Sequence, residues 1–215
     1  MKQDPPRKTG RPLSFDRDAA LKQAMLAFWR HGYETTSVSD LTAAMGVSAP
    51  SLYAAFGDKR RLFLEAVQLY AGPPDVLARQ LDAAVTARQA ASEMLTAAAV
   101  AFTGDQTPPG CLLASATASG SADAAPVQAA VTAVRDDIRD LLQARINRDV
   151  AAGLLPQNTD TAALAALVVG LIQGLSVLAR DGVTRAALLQ ICVTAMQAWP
   201  DQVLNRTELV GSAMA

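Results

Sequence analysis

The chain has 215 residues, enough for one or two domains, and 51% of them are hydrophobic. Its 19 basic and 20 acidic residues nearly balance, which on its own argues against a nucleic-acid partner. Two widely separated cysteines, Cys111 and Cys192, exclude zinc-finger spacing and favour a reduced setting.

The charges are unevenly distributed along the chain. Residues 1–70 contain ten Lys or Arg and seven Asp or Glu, whereas residues 71–215 contain nine and thirteen. The basic residues of the first part are concentrated in an N-terminal arm, residues 1–12, and at residues 59–61. Because local basic patches attract phosphate whatever the net charge, DNA becomes a candidate partner. The alternative for residues 59–61 is a solvated helix face.

The first predicted elements form a helix-turn-helix. A helix over residues 15–33 is followed by a second helix, which begins after Ser37 or Ser39. The second helix ends at Gly46, where a positive φ carries no Cβ penalty, and Ser48 caps the third. Two short helices around such a turn are typical of the unit that places its second helix in the major groove of DNA.

An ordered set of residues runs through and beyond this turn: Gly46, Val47, Ser48, Leu52, Tyr53, Phe56, Lys59 and Leu62. The set resembles the DNA-binding domain of the TetR family of bacterial transcriptional regulators, over roughly residues 11–70. The resemblance implies an all-α fold, and no stretch of the chain shows the two-residue alternation of a strand. The implied organisation is the arm over 1–12, a helix-turn-helix domain over 13–57, a connecting helix over 58–72, a ligand-binding and dimerisation domain over 73–199, and a tail over 200–215.

The same resemblance identifies candidate phosphate contacts. It implies that Tyr53, on the third helix, and Lys59, at the start of the fourth, clamp the DNA backbone. Thr36 and Ser37, at the N-terminus of the second helix, are further candidates. The alternative for Tyr53 is a partly buried core aromatic.

Base reading is expected at the start of the third helix. Ser48, Ala49, Pro50 and Ser51 occupy its groove-facing end. Ala49 and Pro50 cannot hydrogen-bond a base edge but can pack on a thymine methyl group, whereas Ser51 can donate or accept. Basic residues of the arm are candidates for minor-groove contacts: Arg7, Lys8 and Arg11. The alternative for the arm is a solubilising tail.

Two consecutive prolines, Pro73 and Pro74, end the fourth helix and begin the C-terminal domain. Further helices are predicted over residues 75–88, 89–103, 111–119, 125–152, 160–180 and 184–199, with a turn over 119–121.

The segment 161–179 contains no charged residue, so its length approaches that of a membrane span. Its polar and small residues favour instead a helix buried on most sides of a protein. The TetR resemblance implies that the last two helices pair with their twins in a four-helix dimer interface. The candidate interface residues are Leu167, Gly170, Leu171, Gly174, Leu188, Ile191 and Ala195.

The resemblance also implies a ligand among the middle helices, whose binding re-angles the fourth helix. The candidate lining is Leu95, Ala99, Phe102, Cys111, Leu112, Val134, Ile138 and Gln173, so the implied inducer is small and largely hydrophobic. The alternative is that these residues are simply core. Cys111 opens a predicted helix, a setting that can activate a thiol, but a buried, inert thiol is the favoured interpretation.

The sequence therefore predicts a homodimeric, sequence-specific DNA-binding repressor, released from a palindromic operator by a small-molecule inducer. The alternative is a ligand-free DNA-binding module whose C-terminal domain only dimerises or docks a protein partner. An enzyme is not expected, since the lone His31 fits a helix end. No cofactor, metal or membrane is expected. The basic N-terminus lacks a signal-peptide core, so the expected location is the cytoplasm.

Overall fold

The computed structural model describes residues 15–115 and 124–200, and every regular element within these ranges is helical. The helices are α1 Arg17–His31, α2 Val38–Met45, α3 Ala49–Phe56, α4 Lys59–Ala71, α5 Pro74–Ala83, α6 Ala87–Phe102, α7 Leu112–Ser115, α8 Ala125–Ala151, α9 Thr161–Arg180 and α10 Arg185–Ala195, with a 3₁₀ turn over Met196–Ala198. The all-α prediction is confirmed. The basic arm, the turn predicted over 119–121 and the tail from residue 201 lie outside the described residues.

Side-chain caps begin the two short helices of the helix-turn-helix and the connecting helix α4. Ser37, not Ser39, caps α2, and it forms a reciprocal capping box with Asp40. Gly46 ends α2 in the left-handed region at φ 66°, as predicted. Ser48 then caps α3, and Asp58 caps α4. Local sequence signals therefore define each end of the helix-turn-helix.

The boundary between α5 and α6 lies earlier than predicted. The sequence suggested one helix to residue 88 and another from 89, but α5 ends at Ala83 and α6 begins at Ala87. Two interactions explain the difference. Thr86 accepts a hydrogen bond from the Gln89 backbone N–H and caps α6. The Arg145 guanidinium binds the carbonyl oxygens of Leu81, Ala84 and Val85 at the end of α5.

A polar network joins α1 to the C-terminal helices. The Trp29 indole N–H donates to the carbonyl of Gly110 at 3.1 Å, and Arg180 donates to the carbonyl of Trp29 at 2.9 Å. The Cys111 backbone N–H donates to the Ser176 hydroxyl at 2.8 Å. Gly110 itself has φ 78°, and an added Cβ would lie 2.8 Å from the Ser176 carbonyl oxygen. These contacts hold the helix-turn-helix domain against α9.

Candidate nucleic-acid interface and regulatory surfaces

Helix α3 presents one face to the core and the opposite face to solvent. Leu52 and Phe56, four residues apart, are buried, as predicted. Pro50, Tyr53 and Ala54 are exposed on the other side. Because the Tyr53 side chain is 48% exposed, the interpretation of Tyr53 as a core aromatic is not supported. The exposed face of α3 is therefore available to enter a groove of DNA.

The two serines at the start of α3 bind each other. Their hydroxyl oxygens lie 2.9 Å apart, and Ser48 also accepts a hydrogen bond from the Ser51 backbone N–H at 3.3 Å. Both side chains are thus ordered by the N-cap. Ala49, between them, is half-buried.

Lys59 is held at the start of α4, beside the turn that precedes α2. Its ammonium group lies 4.6 Å from the centre of the Tyr33 ring and donates to the Glu34 carbonyl at 3.3 Å. Partial burial lowers the pKa of Lys59, while the carboxylates of Glu34 and Asp40 act in the opposite direction. An approaching phosphate favours the charged form of Lys59. The contacts with Tyr33 and Glu34 already hold the ammonium group in one place, where it can bind an anion.

The hydroxyls proposed at the N-terminus of α2 are engaged within the protein. Thr36 is 1% exposed, and its hydroxyl donates to the Gly32 carbonyl at 2.6 Å, so its side chain does not face a phosphate. The Ser37 hydroxyl donates to the Asp40 carboxylate at 2.6 Å, and the Ser37 backbone N–H donates to it at 2.8 Å. These two hydrogen bonds lower the pKa of the Asp40 carboxyl group. The prediction for Thr36 as a side-chain contact is corrected, because its hydroxyl closes the turn after α1.

Three further residues of this surface are exposed, Ala54, Arg60 and Arg61. The sequence places the two arginines in the basic patch at residues 59–61 but identifies neither of them, nor Ala54, as a DNA contact. A helical period drawn from Leu52 and Phe56 identifies Ala54, because it lies four residues after Pro50 on the opposite face. The two arginines follow Lys59 on α4. Arg7, Lys8 and Arg11 of the arm lie outside the described residues.

Most of the predicted ligand-lining residues belong to the packed core. Leu95, Ala99, Phe102, Cys111 and Leu112 are each at most 5% exposed. Their helical spacing reflects packing between helices, the alternative that the sequence left open. Gln173, on α9, is half-buried.

A groove of about 570 Å³ lies between α4, α5 and α8. Its lining includes Val134 and Ile138 from the predicted set, and the other lining residues are Gln68, Ala71, Gly72, Pro73, Pro74, Val76, Leu77, Gln80, Asp137 and Leu141. Most of this surface is apolar, and Asp137 is the charged residue among the described residues that line it. Since Gln68 and Ala71 belong to α4, the groove lies at the opposite end of that helix from Lys59.

Cys111 is buried and packs at the junction of the two domains. The Tyr70 hydroxyl donates to its sulfur at 3.2 Å. Burial, followed by the proximity of Cys111, raises the pKa of Tyr70. The second cysteine, Cys192, is also buried, and burial raises the pKa of its thiol. Both thiols therefore pack as small apolar groups in this state.

Helices α9 and α10 expose apolar side chains on the surface of the subunit. Leu167 and Val177 on α9 and Val193 on α10 are between 47% and 58% exposed. A Cβ added at Gly170 or Gly174 would meet no heavy atom within 4 Å among the described residues of the subunit. Large exposed apolar patches on soluble proteins mark interaction sites. This surface, formed by Leu167, Gly170, Gly174, Val177 and Val193, is called the α9–α10 face.

The other predicted interface residues are less accessible. Leu188 is fully buried within the subunit, where it packs α10 onto the core. The prediction that Leu188 contacts a second subunit is therefore wrong. Leu171, Ile191 and Ala195 are half-buried at its margin.

Within the described residues, α9 is a helix long and apolar enough to cross a membrane by length and composition. Only 33% of the most apolar stretch of α9 is buried within the subunit. The described residues of one subunit therefore do not give α9 the burial on most sides that the sequence predicts.

Two family models match the chain. Residues 20–66 match the family model described as bacterial regulatory proteins, tetR family. Residues 92–191 match the model described as tetracyclin repressor-like, C-terminal domain. The two matches correspond to the helix-turn-helix and to most of the C-terminal helices.

Similar proteins match along nearly the whole chain. The HTH-type transcriptional repressor ComR of Escherichia coli is 35% identical over 199 residues, covering 90% of this chain and 93% of that protein. A cysteine mutant of the TetR family regulator CifR, complexed with 26-bp operator DNA, is 41% identical with a TM-score of 0.84, covering 89% of this chain and 100% of that chain. A putative TetR regulator from Rhodococcus sp. RHA1 is 37% identical with a TM-score of 0.59, covering 85% of this chain and 98% of that chain.

Proposed function

Because this chain belongs to the TetR family of DNA-binding transcriptional repressors, we propose that it acts in the cytoplasm as an inducer-controlled homodimer. Two copies of α3, related by a two-fold axis, bind a palindromic operator. The observation that carries this proposal is the exposed face of α3, with Lys59 held beside it. A small molecule in the groove between α4, α5 and α8 releases the DNA.

The α9–α10 face supplies the dimer contact in this proposal. Its apolar side chains and its two open glycines permit close approach of a second copy of α9. The same face accounts for a helix whose residues 161–179 carry no charge and whose most apolar stretch is only one-third buried in the subunit. Leu171, Ile191 and Ala195 become buried at the margin of the contact.

Phosphate binding is assigned to Lys59 and Tyr53, with the backbone N–H groups at the start of α2 as further donors. Lys59→Ala is expected to weaken binding to all duplex sequences alike and to lower the slope of log affinity against log salt by about one unit. Fluorescence anisotropy over a series of salt concentrations measures the slope. Arg79→Ala, which removes an exposed cation from α5, serves as the control. An unchanged slope in Lys59→Ala would exclude Lys59 from the contacts.

The groove is suited to control because it includes one end of α4 and the DNA-binding surface includes the other. A ligand that separates α5 and α8 from Gln68 and Ala71 shifts α4, and with it the helix-turn-helix. For induction, the ligand must bind the DNA-free arrangement more tightly than the DNA-bound one. A compound that raises the melting temperature without weakening operator binding is an occupant and not an inducer.

The groove lining selects a class of ligand. Its apolar walls favour an apolar body, and two amide side chains, Gln68 and Gln80, supply hydrogen bonds. Asp137 disfavours an anion by charge repulsion. The proposed inducer is therefore a small apolar molecule, either neutral or cationic.

Ile138→Trp is expected to fill the groove. If the tryptophan only excludes the ligand, the inducer concentration for half-release should rise at least about tenfold. If the tryptophan instead takes the ligand's place and shifts α4, operator binding without ligand should weaken. Operator-release titrations measure both effects. Val85→Trp, at an exposed position between α5 and α6, is the matched control. Unchanged operator affinity together with an unchanged ligand response would place the inducer elsewhere.

The alternative function is a ligand-free module whose C-terminal domain only dimerises or docks a protein. The core around Leu95, Ala99 and Leu112 is solid, and the absence of a cavity among these described residues favours the ligand-free module. A screen of small apolar neutral, cationic and anionic compounds for operator release separates the two functions. Release by a neutral or cationic compound supports the inducer-controlled repressor, and no release by any class supports the alternative.

A further inference from the structure

We propose that this protein recognises its operator mainly through thymine methyl groups, which Pro50 and Ala54 contact in the major groove. The inference rests on the proposed function and specifies how the sequence is read. It assigns a role to Ala54 and limits the hydrogen-bonded readout expected from α3.

The first support is the set of side chains that the helix-turn-helix does not contain. Residues 35–58 include no Arg, Lys, His, Asn or Gln. Bidentate recognition of guanine uses Arg or Lys, and bidentate recognition of adenine uses Asn or Gln. The whole unit, from the turn before α2 to the N-cap of α4, therefore has none of the side chains that distinguish these bases by paired hydrogen bonds.

The second support is that several of its polar side chains already have partners within the protein. The Ser48 and Ser51 hydroxyls lie 2.9 Å apart and form a hydrogen bond with each other. The Thr42 hydroxyl donates to the Ser39 carbonyl at 2.9 Å, and Asp40 is engaged in the capping box of α2. A base that displaced the hydrogen bonds of Asp40 or Ser48 would compete with the caps that begin α2 and α3.

The third support is the composition of the exposed face of α3. Pro50, Tyr53 and Ala54 stand at positions i, i+3 and i+4, so they share one side of the helix. Tyr53 carries a hydroxyl for the backbone, which leaves the ring methylenes of Pro50 and the methyl group of Ala54 to face the bases. The small size of Ala54 lets the helix approach closely. In the major groove, the apolar group that distinguishes one base pair from another is the C5-methyl of thymine.

The test begins with the full-length homodimer and a pool of random duplex DNA, from which the operator is selected. Each thymine of one half-site is then replaced in turn by deoxyuridine, which lacks the C5-methyl group and keeps the same hydrogen bonds. Loss of one buried methyl group corresponds to about a fourfold loss of affinity. We expect such a loss at one or two thymines per half-site and little change at the others.

A reciprocal replacement tests whether the methyl group alone is read. At a thymine that responds, a C·G pair is expected to bind weakly because it lacks the methyl group. The 5-methylcytosine form restores that group at the same place in the groove. It is expected to bind about fourfold more tightly than the unmethylated pair.

A protein variant identifies the contacting residue. Ala54→Gly removes one methyl group from α3, and the loss on thymine-to-uracil replacement is expected to shrink at one position only. Ala133→Gly, on the exposed surface of α8, controls for the lower helix propensity of glycine and should leave the uracil response unchanged. The measurements on the natural chain need no variant, so they stand even if Ala54→Gly folds poorly.

The outcomes separate this inference from the proposed function. Selection of a definite operator whose uracil-substituted forms all bind like the parent would overturn methyl reading while leaving the repressor function intact. Failure to select any duplex sequence would overturn both. A response to uracil that Ala54→Gly leaves unchanged would exclude Ala54 as a contact.

Discussion

Gly174→Arg is expected to separate the two subunits and to weaken operator binding at least about a hundredfold, because a buried unpaired charge costs several kcal/mol. Gly174 lies on the α9–α10 face, where an added Cβ would meet no described atom within 4 Å outside the adjacent backbone of α9. The isolated subunit can therefore accommodate the arginine in solvent. In a two-fold dimer, the symmetry places two arginines in one apolar contact.

Sedimentation velocity measures the dissociation, and anisotropy on the selected operator measures the loss of affinity. Ala133→Arg, at an exposed position of α8, adds the same charge outside the α9–α10 face and should remain dimeric. An intact dimer of Gly174→Arg at micromolar concentration would place the dimer contact on another surface.

Asp149→Ala is expected to lower the free energy of unfolding by about 3–5 kcal/mol, because it leaves the buried Arg145 guanidinium without its counter-charge. Asp149 is 3% exposed and Arg145 is 6% exposed. Asp149 also accepts the backbone N–H of Ala87 at 2.6 Å, at the start of α6. The variant thus removes an ion-pair partner and a helix-terminal acceptor together.

Chemical denaturation measures this loss in free energy. The control is Asp82→Ala, which breaks an exposed ion pair with Arg148 and should cost less than about 1 kcal/mol. If the two variants were equally stable, Arg145 and Asp149 would not hold the junction of α5, α6 and α8.

The helix-turn-helix could be predicted from sequence because its signals are local. Ser37, Gly46, Ser48 and Asp58 each act within three or four residues of their own position, through caps and a left-handed turn. The burial of Leu52 and Phe56 follows from the helical period between them. The exposed face of α3 follows from the same period.

Other features depend on residues distant in sequence. The end of α5 is determined by Arg145, some sixty positions later, which binds its last carbonyl groups. The burial of Leu188 depends on how α10 packs against α6 and α9. An apolar helical stripe does not distinguish a residue that packs on another helix from one that lines a groove. For this reason Leu95 and Leu112 were predicted in the ligand site, whereas Leu77 and Gln80 were missed.

The most direct test of the account is a footprint of the full-length protein on its selected operator, combined with the stoichiometry of the complex. A two-fold symmetric repressor is expected to protect two half-sites related by the two-fold axis, to contact successive major grooves on one side of the duplex, and to bind with at least two subunits per operator. Protection of a single asymmetric site by one subunit would contradict this expectation.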